Sequence, residues 1–190
     1  MIWDDFLNSE WHDWRGSGRS EDRLEKYEWI REWLDEHKLE AGGPPDKEEL
    51  EALKGLRRLM QEMVRCLVSG AALTEGMLDE FNRVLAEEAV LRRLVRSGEA
   101  YRLEHETPSR SWVSVMAETA ASFAGILADG DPTRIRICEN RDCRWIYYDD
   151  TRNRSKRYCD DKLCGNLMKV RRFRARKKAE AAGEGGAPRE

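Results

Sequence analysis

Four cysteines in the C-terminal part of the chain are the residues whose type and spacing call for specific chemistry. They follow the pattern C-x4-C-x15-C-x4-C and are Cys138, Cys143, Cys159 and Cys164. Two close pairs of thiolates separated by a short segment can complete the tetrahedral shell of one Zn²⁺ ion. Because four sulfurs leave no coordination position for water, the pattern predicts a structural zinc and not a catalytic one. The metal would supply folding energy to a segment too small to bury a core of its own.

Two other uses of four cysteines remain open at this point. Two disulfides would suit the same residues in an oxidising compartment, and an iron–sulfur cluster can also take four thiolates. The first residues, 1–5, are acidic and lack the cationic start and apolar run of a secretory signal. We therefore expect a cytoplasmic protein with reduced cysteines, and this expectation favours zinc over disulfides.

The residues around the cysteines predict a hairpin followed by a helix. Aromatic and β-branched residues flank a turn-forming centre at 149–154, which is typical of a β-hairpin between the two cysteine pairs. Asp160 and Asp161 then favour a helix start, because acidic side chains stabilise the positive end of the helix dipole. The apolar residues that recur at helical spacing behind them are Leu163, Leu167, Val170 and Phe173. This order describes a treble-clef-like zinc finger with a C-terminal basic helix, over residues 134–178.

The charge of the chain is strongly divided between its two parts. Residues 134–178 contain 16 Lys and Arg against 6 Asp and Glu, whereas residues 1–133 contain 17 against 28. A basic segment behind an acidic one predicts a polyanionic partner. A helix of this size can enter the major groove of DNA. We therefore expect the finger to bind DNA.

The basic residues expected to meet phosphates or base edges lie in the hairpin and the helix. They are Arg152, Arg154, Lys156, Arg157, Lys169, Arg171, Arg172 and Arg174. Three alternatives stay open: the helix docks on the acidic body, exposed aromatic residues of the finger stack on RNA bases, or the zinc unit binds another protein. A homodimer is also left open.

The N-terminal body is predicted to be mainly α-helical with one short β-hairpin. Apolar periodicity predicts helices from Ser20 to about Lys38, from Asp46 to about Ser69, from Thr74 through Leu85, and from Pro108 and Ser109 to about Ala128. Residues 90–106 predict a hairpin with a turn at Ser97-Gly98, although a continued helix competes with it. The predicted division is a body at 1–131, the finger at 134–178 and a disordered tail at 179–190.

The sequence supplies no residue to which a catalytic role can be assigned. The three histidines, His12, His37 and His105, are scattered, and no glycine-rich phosphate loop or G-x-S-x-G motif occurs. We therefore expect no enzyme, although a concave pocket in the body would reopen that question. The apolar runs are only a few residues long, so we expect no membrane partner.

The finger resembles a known family through several motifs. These are Trp145, Tyr147, Asp149, Arg152-Asn153, Arg157-Tyr158-Cys159, Cys164-Gly165-Asn166 and Lys169-Val170-Arg171. Together they resemble the CGNR zinc finger, which is named for the run at its last metal ligand. Leu167 stands here in place of the final Arg, which puts a DNA contact of that Arg in doubt but leaves the metal ligands intact. The resemblance implies a bacterial, DNA-binding transcription regulator.

The body resembles the ABATE domain, a stress-induced-regulator domain that usually precedes a CGNR finger. The resemblance rests on Phe6-Leu7-Asn8, the helix from Leu53 to Leu67, and the pair Phe81-Asn82. It implies a sensor for a small-molecule ligand of unknown identity. The polar or amphipathic residues expected in its pocket are Asn8, Trp11, Arg57 and Asn82. For each of them singly, capping or a buried hydrogen bond is the competing interpretation.

Overall fold

The computed structural model of the chain describes residues 1–89, 91–106 and 109–184. Its helices are α1 (Ile2–Leu7), α2 (Tyr27–His37), α3 (Lys47–Ser69), α4 (Glu75–Ala86), α5 (Trp112–Ala128) and α6 (Asn166–Glu184). Its strands are β1 (Glu10–His12), β2 (Ser20–Asp22), β3 (Leu91–Ser97), β4 (Ala100–Glu106), β5 (Ile135–Ile137) and β6 (Ile146–Tyr148). They form three antiparallel two-stranded ribbons, β1–β2, β3–β4 and β5–β6. The predicted fold class, a mainly α body with a small finger, is confirmed.

The short helix α1 lies at the centre of the body. Trp3 and Phe6 are fully buried. The ring of Trp3 lies 5.5 Å from that of Phe123 on α5, and the ring of Phe6 lies 5.6 Å from that of Trp33 on α2. Aromatic pairs at these distances add to the free energy gained by burying apolar area. The remaining wall of the core is the apolar stripe of α3, including the fully buried Leu53.

Helix ends in the body follow local sequence signals. The carboxylate of Asp46 accepts a hydrogen bond from the N–H of Glu49, and the Glu49 carboxylate accepts one from the N–H of Asp46, both at 2.8 Å. This capping box satisfies two N–H groups that the first turn of α3 leaves without a partner. Gly70, with a φ of +76°, ends the helix in the left-handed region. The hydroxyl of Thr74 caps α4 in the same way as predicted.

Several predicted boundaries are wrong. Ser20 starts strand β2 opposite His12, and α2 begins only at Tyr27, because pairing with β1 overrides the local capping preference. The residue that caps α5 is Ser111, and the predicted start at Pro108 lies outside the described residues. Helix α6 continues to Glu184, into the tail predicted as disordered; residues 185–190 lie outside the described residues.

A buried arginine ties the long helix to the ribbon β1–β2. Arg57 of α3 donates two hydrogen bonds to the carboxylate of Asp22, at 2.7 and 2.6 Å, and one to the hydroxyl of Ser9 at 2.8 Å. Burial opposes ionisation of Asp22, but the hydrogen bonds and charge of Arg57 lower its pKa. The ion pair therefore stabilises the fold above the ordinary pKa of an aspartate, and this contribution is lost as the pH falls through the lowered pKa.

Arg57→Ala should reduce the free energy of unfolding by about 3 kcal/mol at neutral pH, since it leaves the Asp22 carboxylate without its buried partner. Denaturant unfolding followed by circular dichroism measures this. The matched control is Arg58→Ala, because Arg58 is the next residue on α3 but is exposed. We expect the difference between the two variants to shrink as the pH falls through the lowered pKa of Asp22. Equal stability of both variants at neutral pH would contradict the structural role of Arg57.

Candidate metal centre

The finger begins with a hairpin whose connection carries the first two cysteines. β5 pairs with β6 so that Ile137 lies opposite Ile146. Cys138 directly follows β5, and its N–H donates to the carbonyl of Trp145 at 2.8 Å. Cys143 lies in the same connection, and its N–H donates to the backbone carbonyl of residue 140. The ribbon thus holds both thiols at one end of two paired strands.

The hairpin predicted between the two cysteine pairs is wrong in its strand partner. β6 pairs with β5 and not with residues 155–158, which have an irregular backbone. The reason is the fully buried Asp149, whose carboxylate accepts hydrogen bonds from the N–H groups of Thr151 and Lys156, both at 3.0 Å. Burial opposes its ionisation, but these hydrogen bonds lower the pKa of Asp149. The loop folds around this carboxylate and returns the second cysteine pair to the first.

The four predicted cysteines come together at one point. The sulfur of Cys143 lies 3.6 Å from that of Cys159, which lies 3.9 Å from that of Cys164. All four sulfurs, including that of Cys138, lie within 4.8 Å of one another. Zn–S bonds of about 2.3 Å place the sulfurs of a tetrahedral site about 3.8 Å apart, whereas a disulfide needs about 2.05 Å. The donor set therefore fits one structural zinc ion, as predicted, and all five cysteines are free of disulfides.

The electrostatics of the four thiols also require a cation. Hydrogen bonds from the thiols of Cys143 and Cys159 lower the pKa of Cys138 to about 2. The same interactions raise the pKa of Cys143 to about 12 and raise that of Cys159 further. Among these three thiols, the hydrogen bonds thus favour ionisation of Cys138 and oppose ionisation of Cys143 and Cys159. A divalent cation is what allows all four sulfurs to lose their protons together.

Asn140 links the metal cluster to the body and was missed from the sequence. This buried residue lies inside the first x4 segment. Its side-chain N–H donates to the carbonyl of Trp14 at 2.8 Å and lies 3.5 Å from the sulfur of Cys164. Hydrogen bonds from residues that do not themselves bind the metal orient the metal ligands and tune their basicity. The only available sequence signal was an amide residue between two paired cysteines.

The finger docks on the N-terminal segment of the body through hydrogen bonds between side chains and backbone groups. The Asn8 amide donates to the carbonyl of Ile146 at 2.7 Å and accepts from the N–H of the same residue at 2.8 Å. On α6, Arg171 donates to the carboxylate of Asp142 at 2.5 Å and to the carbonyl of Arg15 at 2.8 Å. Gly16 has a φ of +89°, and a Cβ there would lie 2.8 Å from both side chains of that ion pair, so a substitution would strain the backbone and displace the pair.

The eight basic residues predicted to meet nucleic acid divide into two groups. Three are engaged in ion pairs: Arg154 with Asp131, Arg157 with Glu139, and Arg171 with Asp142. Lys156 is half-buried over the ring of Tyr147. The exposed residues for which no ion pair is recorded are Arg152, Lys169, Arg172 and Arg174. The second group, and especially its three members on α6, is therefore available to a partner.

The four predicted pocket residues do not converge on one cavity. The polar groups of Asn8 and Arg57 are engaged by Ile146 and by Asp22, and Asn82 is exposed on α4. For Asn8 and Arg57 the competing interpretation, a buried hydrogen-bonding residue, describes the structure. Trp11 lines a cavity at the junction of body and finger, and Asn8 lines a different one beside Gln61 and Arg65 of α3.

Comparison with protein families identifies both parts of the chain. The family model described as "Putative stress-induced transcription regulator" (ABATE) matches residues 2–130. The chain belongs to this family. The CGNR zinc finger model matches residues 134–177, so both resemblances are confirmed. No curated protein matches the chain. The cysteine cluster described above thus lies within the finger that follows the ABATE domain.

Cys143→Ser should remove the zinc from this ABATE-family protein and unfold its finger, because three thiolates and a hydroxyl do not replace a four-thiolate shell. Metal analysis of the purified chain should give about one zinc for the unmodified protein and much less for the variant. The matched control is Cys66→Ser, since Cys66 lies on α3 outside the cluster. Full zinc content in Cys143→Ser would contradict the assignment of this ligand.

Proposed function

We propose that this ABATE-family protein is a transcription regulator that binds duplex DNA through its finger and α6. The observation that carries this proposal is the set of exposed cations on α6, Lys169, Arg172 and Arg174, which stand outside the ion pairs that hold the finger. Clustered Lys and Arg side chains on one helix are the electrostatic footprint of a nucleic-acid-binding protein. Because the body is acidic, non-specific attraction of nucleic acid is confined to the finger end of the molecule.

The division of the basic residues supports a particular docking geometry. Arg171 contacts the body; at about 100° per residue, Lys169 lies nearly opposite it on α6 and Arg172 lies to one side, and both are exposed. A helix fixed at its start by a zinc ligand and free beyond its first turns can enter a major groove. Arg152, in the loop between the cysteine pairs, is exposed and is expected to contact the phosphate backbone beside that groove.

The triple variant Lys169→Ala, Arg172→Ala and Arg174→Ala should weaken binding to duplex DNA and reduce the slope of log K against log salt by about 2 to 3, one unit per lost phosphate contact. Fluorescence anisotropy with a labelled duplex, over a series of salt concentrations, measures both quantities. The control is Arg31→Ala, Arg58→Ala and Arg65→Ala, which removes the same charge from exposed positions of the body.

Four outcomes separate the alternatives for the finger. Loss of affinity in the α6 variant alone supports DNA binding by α6, and equal loss in both variants would reduce the effect to net charge. Tighter competition by single-stranded RNA than by duplex DNA would favour the RNA alternative. An unmodified, zinc-loaded protein without salt-dependent affinity for any nucleic acid would overturn the proposal and leave the finger as a protein-binding module.

The regulatory half of the proposal concerns a cavity of about 310 Å³ beside the metal centre. Trp11 and Trp14 of the body line it together with Trp145 of the finger, and Arg23 contributes a cation. The nearest carboxylate recorded for Arg23 is that of Glu21, at 4.0 Å, so its guanidinium has capacity for a further anion. We assign this cavity, which Trp11 lines but the other three predicted pocket residues do not, to a small aromatic or apolar ligand with an anionic group.

Arg23→Ala should weaken the binding of 8-anilino-1-naphthalenesulfonate, an aromatic anion, by about tenfold, the loss expected for one charge-assisted hydrogen bond. The dye's fluorescence during titration with zinc-loaded protein measures its affinity. Arg19→Ala is the control, since Arg19 is a highly exposed arginine of the same segment that does not line the cavity. Equal dye affinity in both variants would contradict the assignment of the cavity.

We add two further elements to the proposal. The cysteines that bind zinc must stay reduced and not form disulfides, so we propose that the protein acts in the cytoplasm. We assign the protein no catalytic role, and the cavity at the junction serves binding alone. Each helix among the described residues is too short or too polar to span a bilayer.

A further inference from the structure

The ribbon β3–β4 carries an apolar cluster that faces solvent. Leu94 and Leu103 lie opposite each other, and their side chains are 70% and 57% exposed; Tyr101 on the same face is 69% exposed. Within the described residues these two strands form a sheet of their own. A two-stranded ribbon is marginally stable in water without a further layer or strand, and exposed apolar clusters mark interaction sites. The ribbon therefore needs a partner.

The backbone of the ribbon offers two free edges. Gly98, with a φ of +65°, occupies the first central position of a two-residue turn, Gly98-Glu99, as a type II′ turn requires. The turn predicted at Ser97-Gly98 is thus one residue early. Since Ser97 and Ala100 flank such a turn as a hydrogen-bonded pair, hydrogen-bonded and non-hydrogen-bonded pairs alternate from there. Residues 101, 103 and 105 of β4 therefore direct their N–H and C=O groups outward, and so do residues 92, 94 and 96 of β3.

Charge selects one of these edges for pairing with a second copy. If two β4 strands pair antiparallel with Leu103 opposite Leu103, Arg102 of each copy lies opposite Glu104 of the other. Moving the two-fold axis to residue 102 places Arg opposite Arg, and moving it to residue 104 places Glu opposite Glu at the axis, although Arg102 then lies opposite Glu106. On the other edge, pairing two β3 strands about Leu94 places Arg92 opposite Arg96 twice. Opposite charges across strands stabilise a sheet and like charges destabilise it.

We propose that β4 pairs antiparallel with β4 of a second copy of this chain, centred on Leu103. The product is a four-stranded sheet in which outward N–H and C=O groups of residues 101, 103 and 105 find partners. The apolar clusters of the two copies, Leu94, Tyr101 and Leu103, join into one continuous surface on the same face. The contact is closed and symmetric, which is the common form of homo-oligomers.

The dimer does not depend on DNA binding, but it extends the proposed function. Two copies would present two zinc fingers and two α6 helices related by one two-fold axis. Dimeric DNA-binding proteins read two half-sites in this way. The charge pairs set the register of the interface and the apolar cluster drives its formation, so salt should affect the dimer less than it affects DNA binding.

The first test uses proline at the free edges of the ribbon. Leu103→Pro removes an outward N–H of β4 without removing a hydrogen bond between β3 and β4, and it should convert the dimer into a monomer of 22.2 kDa. Leu94→Pro is the matched control, because it removes a leucine of the same cluster and places proline on the opposite edge. It should remain dimeric. Light scattering after size-exclusion chromatography, over a range of protein concentrations, measures the mass.

The control also detects a different assembly. If β3 of one copy paired with β4 of the next, the contact would not close, and the unmodified protein would form chains larger than a dimer. Both proline variants would then disrupt it, which would overturn the proposal. A monomeric unmodified protein at all concentrations would overturn it as well. Zinc content and the helical signal show whether each variant is folded.

A charge exchange tests the register. Arg102→Glu places two Glu–Glu pairs across the interface and should weaken the dimer by about tenfold or more, and Glu104→Arg should do the same through two Arg–Arg pairs. The double variant, Arg102→Glu with Glu104→Arg, restores opposite charges across the two-fold axis and should recover the dimer. Sedimentation equilibrium gives the dissociation constants. A double variant weaker than both single ones would contradict the pairing of residues 102 and 104.

Discussion

The structure depends on one strand, β6, that the body and the finger share. Successive side chains of a strand point to opposite faces, so Ile146 enters the core of the body while Tyr147 packs against the cysteine cluster. The Asn8 amide completes the hydrogen bonding of Ile146 from the body side. An aspartate could not do this, because an ionised carboxylate accepts hydrogen bonds but donates none. Zinc therefore organises a segment whose strand also completes the core of the body.

The basic residues of the finger divide into two groups, according to whether a carboxylate lies close enough to form an ion pair. A carboxylate within reach engages an arginine inside the finger, as Glu139 does for Arg157 and Asp142 does for Arg171, and Arg171 also donates to the carbonyl of Arg15 in the body. Each such pair neutralises positive charge close to the acidic body. The exposed cations of α6, Lys169, Arg172 and Arg174, lie outside these pairs. Net charge by residue range therefore overstates the positive charge that the finger offers to a partner.

The sequence was sufficient for features that depend on local chemistry or on covalent spacing. The capping box at Asp46, the cap at Thr74 and the four zinc ligands each follow from residue type and separation along the chain. The sequence was insufficient where contacts between segments distant in the chain determine the local structure. Ser20 is an acceptable helix cap in isolation, and only pairing with His12 makes it a strand residue. Asp149 likewise looks like a turn residue, and its burial, which redirects the hairpin, depends on the fold around it.

The same distinction explains why three of the four predicted pocket residues lie apart from the cavity at the junction, and it bears on what the proposed site would do. Polar residues in an apolar sequence are most often satisfied inside the protein, whereas the cavity at the junction is formed from Trp11, Trp14 and Trp145, which are distant in the chain. A ligand shifts an equilibrium only through different affinities for its states. Because this cavity exists only when finger and body are docked, a ligand bound there would stabilise the docked state. Arg171 of α6 donates to the carbonyl of Arg15, the residue after Trp14, so the direction of α6 is fixed beside the cavity. Occupancy of the cavity would therefore control how rigidly α6 is presented, without any change in the zinc site itself.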